Sequence, residues 1–106
     1  MRYQIKACSI STLPRASSGQ QDAYVEALPV RCDTDDVLEA ALAHSAAFAE
    51  FGPTGHLVWI SVDDGAFERR GDTFADASDA FGDALNAAKS AGLVTEFNGV
   101  YRRVGA

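Results

Sequence analysis

The chain reads as an α+β two-layer sandwich, an antiparallel sheet of about five to six strands with two helices on one face. Three observations predict this. Between Asp72 and Ala91, apolar residues recur at helical spacing, and a second such stripe follows Asp33–Asp36. Short alternating segments flank both stripes. Asn98-Gly99 separates two further short apolar segments, the strongest local signal for a hairpin. The expected order is strand-strand-helix, strand-strand-helix, strand-strand, or ββαββαββ.

Tyr3, Ile5 and Ala7 alternate with Arg2, Gln4, Lys6 and Cys8, which predicts a strand from about Arg2 to Ile10. Ser11 to Gln21, with Pro14, Ser17, Ser18 and Gly19, reads as a polar loop. Ala23 to Cys32 reads as a second strand, confined to an edge or bulged at Pro29 because proline donates nothing to a ladder. Asp33-Thr34-Asp35-Asp36 opens the first helix, with acidic groups where the helix dipole favours them. Val37, Leu38, Ala41, Leu42, Ser45 and Phe48 form its buried stripe, and Gly52-Pro53 ends it.

His56 to Val62 is the most hydrophobic strand: His56, Val58, Ile60 and Val62 face one way, Leu57, Trp59 and Ser61 the other. Asp63-Asp64-Gly65 turns the chain, and Ala66 to Arg70 returns as a partner strand. Asp72 or Thr73 is expected to cap the second helix, and Gly92 to stop it in the left-handed region. Phe74, Ala77, Phe81, Ala84, Leu85 and Ala88 form its apolar stripe. In the closing hairpin a two-residue turn pairs Thr95 with Arg102, Val94 with Arg103 and Glu96 with Tyr101, and leaves Glu96 within reach of Arg103 for an ion pair.

The totals narrow the range of functions. At 106 residues the chain makes one domain, 1–106, large enough for a core without staples. A net charge of -6 argues against a surface that coats nucleic acid, and fits a protein that meets a basic partner. No apolar run exceeds four residues, the most hydrophobic, Leu57 to Ile60, being of strand length, and the N-terminus resembles no signal peptide. Cys8 and Cys32 form no disulfide framework, so a reduced, cytoplasmic setting is expected. Abundant alanine and a preference for arginine suggest a bacterial or phage origin with a GC-rich genome.

Chemistry-bearing motifs are sparse. Cys8, Cys32, His44 and His56 lack the short ligand pairs of a metal site, so no metal is expected. Neither a nucleophile elbow nor a phosphate-binding loop is present, and no cofactor or catalytic residue is assigned. Asp63-Asp64 belongs to a turn.

What stands out is a row of aspartates. Asp76, Asp79 and Asp83 share one helix face, and Asp72 extends it. Aspartate is a poor interior helix former, and like charges at this spacing repel, so the row is unexpected on propensity alone. It reads either as a solvated face or as a surface for a basic partner, including one that imitates phosphate spacing. Asp35, Asp36 and Glu39 would widen it if the two helices lie side by side.

Trp59, projecting away from the helices with Leu57, is the other candidate contact: a covered core residue, or a patch through which two copies could form a homodimer. The favoured reading is a non-enzymatic protein-binding module, such as a small acidic inhibitor of the immunity, antitoxin-partner or phage anti-defence kind, with no membrane association. The alternatives are a small-ligand binder or enzyme with a pocket between sheet and helices, and a winged-helix-like nucleic-acid regulator. An acidic helix where the latter needs a basic one weighs against nucleic acid.

Overall fold

Alternation along the first strand divides the molecule into two cores. The structure is a computed structural model that describes residues 1–15, 18–51 and 57–105. Strand β1 (Tyr3–Cys8) is central in an antiparallel sheet, between β2 (Cys32–Thr34) and β3 (Leu57–Val62), in the order β2-β1-β3. Tyr3 pairs with Thr34 on one side and Val62 on the other. Tyr3, Ile5 and Ala7, with Val58 and Ile60, point into one core. Cys8, Leu57 and Trp59 point into the other.

The first core is closed by two helices, α2 (Val37–Phe51) and α3 (Asp72–Ser90). Ala77, Phe81, Leu85 and Ala88 are buried, as the helical spacing predicts. Phe81 is 2% exposed, with Tyr3 edge-on to it at 5.3 Å between ring centroids. In α2 the buried positions are Ala40, Ala41, Ser45 and Ala47, while Phe48, expected inside, is 43% exposed. The helix is turned so that alanines meet the sheet and α3, a close approach that small side chains permit.

The two helices run antiparallel. α2 starts beside Thr34, at the Tyr3 end of β1, and its Phe48 shares a cleft with Phe74 and Leu57 at the other end. α3 runs back, bringing Phe81 to Tyr3.

The second core overturns the expected two layers. Residues expected as a loop and a strand, Ser11–Gln21 and Ala23–Cys32, instead contain a short 3-10 turn (Ile10–Thr12) and α1 (Ser18–Ala27). Val25, with Tyr24 and Leu28, packs on Cys8, Leu57 and Trp59. Tyr24, Val25 and Leu28 fall on one side of a helix, and Gln20, Gln21, Ala23, Glu26 and Ala27 form helices readily. Pro29 bars the helix from continuing through Leu28. The chain is extended only from Cys32, so β2 is a three-residue edge strand.

Two other expectations change in detail. The return strand Ala66–Arg70 reduces to one bridge, with Ile60 and Glu68 exchanging hydrogen bonds of 2.9 Å. The turn before it holds Asp63 and Asp64 at positive φ, and Ser61 Oγ donates to Gly65 O at 2.7 Å, drawing the chain off the sheet. Gly71, rather than Asp72 or Thr73, is the N-cap of α3; its φ of 106° and ψ of 179° suit glycine, and no side chain caps the helix.

At the other end, Gly92 N–H bonds to Lys89 O and Leu93 N–H to Ala88 O, a Schellman stop with Gly92 at φ 76°. The closing hairpin, β4 (Val94–Phe97) and β5 (Val100–Arg103), has the expected register. Its turn residues Asn98 and Gly99 sit at φ 52° and 80°. It forms a separate two-stranded sheet, tied to α2 where Tyr101 N–H donates to buried Ser45 Oγ at 2.8 Å.

The described chain is therefore α+β with three helices and antiparallel sheets of three and two strands, not one sheet of five or six with two helices. Gly52-Pro53, Gly55 and His56 lie outside the described residues, as does Ser17 of the expected loop. No described helix is long and apolar enough to cross a membrane.

Candidate functional site

The stripe that buries Phe81 and Leu85 leaves the opposite side of α3 in water. Asp72, Asp76, Asp79 and Asp83 are all exposed there. The last lies eleven positions beyond the first, about 16 Å along the helix axis. Asp72 lies in the first turn, where the uncapped amides favour a negative charge. Asp79 and Asp83 lie beyond the reach of that effect.

Among the described residues, none of these four carboxylates has an ion-pair or hydrogen-bond partner. Several other acidic groups are engaged, though among the described residues the carboxylates of Asp22, Glu26, Asp35, Asp64 and Glu68 are not. Asp33 takes two bonds from Arg2, at 2.7 and 2.6 Å, and one from Gln4. Those bonds hold the Asp33 carboxyl down at about 2, against an ordinary 3.8. Glu50 pairs with Arg31 through both carboxylate oxygens. Glu96 accepts from Tyr101 and from Lys89, the latter at 3.2 Å, so its expected partner Arg103 is replaced. The Tyr101 hydroxyl and Lys89 lower the Glu96 carboxyl, and the same bond raises Tyr101.

The acidic group at the start of α2 is largely structural. Asp36 is the N-cap, its Oδ1 accepting from Leu38 N–H at 2.9 Å and Glu39 N–H at 3.4 Å. Thr34 Oγ1 accepts from Asp36 N–H and donates to the Glu39 carboxylate, which closes the cap from the other side. Asp35 is exposed. The helices do lie side by side, but antiparallel, so Asp35, Asp36 and Glu39 sit at the end where α3 finishes. They cannot extend the face at Asp72 and Asp76.

Trp59 does project away from α2 and α3, yet it is only 7% exposed. α1 covers it. Lys6, 4% exposed, secures the cover: its Nζ donates to Val25 O at 3.1 Å and Glu26 O at 3.0 Å, in the last turn of α1, and stands 4.3 Å from the Phe67 ring centre. A cation at a helix C-terminus is well placed against the carbonyl dipoles. Of the two readings, the covered core residue fits this burial, and a homodimer through this sheet face would first have to displace α1.

Cys8 and Cys32 are free and lie on opposite faces of the sheet, one in each core. Burial raises both thiols. His44 stacks obliquely on Phe48 and Phe81, with ring centroids 5.3 and 5.6 Å apart. Among the described residues no group of His, Cys, Asp or Glu could hold a metal ion.

Sequence reasoning missed the surroundings of Arg69 and Arg70. Reading them as return-strand residues hid their place in a cleft beside α1, and no spacing signal reveals it because the cleft is built by a helix assigned to the wrong class. Compared with protein-family models, curated proteins and solved structures, the chain matches none.

Proposed function

We propose that this protein is a non-enzymatic protein-binding module that presents the aspartate face of α3 to a basic partner, acting as a small acidic inhibitor of the immunity, antitoxin-partner or anti-defence kind. One observation carries the reading: Asp72, Asp76, Asp79 and Asp83 form a single exposed and unpartnered row along one helix face, while Asp33, Asp36, Glu39, Glu50 and Glu96 are each engaged within the fold. A helix face needing only solvation would keep better propensity with glutamate or lysine. Four unneutralised carboxylates instead set up a negative field that steers a cationic surface and rejects anionic ones.

The test compares the wild-type chain with Asp79→Asn/Asp83→Asn as baits in native host lysate, at low and high salt. The reading expects a protein retained by the wild type at low salt and lost both in the variant and at high salt. Identical retention by the two baits would refute it.

A further inference from the structure

In a chain of net charge -6, a partly buried cation without a partner is conspicuous. Arg2, Arg31 and Lys89 each bind a carboxylate, and Lys6 is bonded to carbonyls. Arg69 is half-buried and Arg70 exposed, and among the described residues neither side chain makes an ion pair or a hydrogen bond. Leaving a guanidinium partly desolvated and unpaired costs free energy that an anion would recover. Both line a cleft of about 250 Å³ between α1 and the segment leading into α3, with Trp59, Phe67, Val25 and Asp22. Its apolar lining is Phe67, Val25 and Leu13 with the small uncovered part of Trp59, and Lys6 lies over the Phe67 ring.

We propose that this cleft binds a small aromatic acid, its carboxylate held by Arg69 and Arg70 and its ring laid against Phe67 beside Trp59. The volume lies at the small end for ligand pockets, which typically run upward of about 300 Å³, and suits a single ring. The planar forks of two arginines match a carboxylate better than an isolated ammonium would. Asp22 is the opposing charge: it sets an upper limit on affinity and repels the anion unless Arg69 and Arg70 outweigh it. No residue of the α3 acidic face enters the site, so it stands or falls separately from that surface.

Trp59 is the chain's single tryptophan and reports directly. The whole protein is titrated with benzoate, with benzyl alcohol (the ring without the charge) and with acetate (the charge without the ring), following Trp59 emission and amide chemical shifts. Benzoate should give saturable changes and bind about tenfold or more tighter than either control. Amide shifts should centre on residues 21–25 and 67–70. Arg69→Gln and Arg70→Gln should each weaken benzoate about tenfold, and Asp22→Asn should tighten it a few-fold. The proposal is overturned by an absence of saturation, by benzyl alcohol binding equally well, or by wild-type shifts centred elsewhere. The last readout needs no variant to fold.

Discussion

Phe81 shows how a single residue links the layers. It sits mid-helix, touches Tyr3 of the central strand, and lies within 5.6 Å of the His44 ring on α2. Phe81→Ala should therefore cost about 3–5 kcal/mol, read as a lower denaturant midpoint; an unchanged midpoint would mean that another face of α3 is buried. A second residue-scale prediction concerns pH. The Asp33 carboxyl, lowered to about 2 by Arg2, contributes stability that is complete above its ordinary 3.8 and is lost as pH falls from there through 2. The stability gap between wild type and Arg2→Met should accordingly be widest above that window and close below it. A gap that persists undiminished in acid would show that Arg2 acts through packing alone.

At the scale of elements, α3 and the hairpin were legible because each carries its own punctuation. Gly92 and Asn98-Gly99 take the positive φ their positions require, and the apolar stripe has one period throughout. α1 was not legible. Val25, Glu26 and Ala27 alternate as a strand would, and only Tyr24, Val25 and Leu28 taken together reveal the helical side. The error was one of period, and it changed the architecture, because the misread segment supplies the third layer.

That layer depends on Lys6. Replacing it by alanine leaves the carbonyls of Val25 and Glu26 without their donor and removes the stem packed beside Phe67. Lys6→Ala should lose about 2–3 kcal/mol and shift Trp59 emission to the red as α1 loosens. Unchanged emission with unchanged stability would mean that apolar contact alone holds α1.

For the whole molecule, the sequence made the acidic row visible but not which other carboxylates are engaged, which depends on distant partners: Arg2 reaches Asp33 and Arg31 reaches Glu50 only once the chain is folded. It likewise could not show that antiparallel helices separate Asp35–Glu39 from Asp72, or that a third helix closes the Trp59 face. The central claim is that the α3 face attracts a basic protein. Its most direct measurement is the association rate of the captured partner with wild type and with Asp79→Asn/Asp83→Asn, at low salt and at physiological salt. The account predicts a slower on-rate for the variant at low salt and a difference that shrinks as salt screens charges beyond about 8–10 Å. Equal on-rates at low salt would contradict it and take the aspartate face out of recognition.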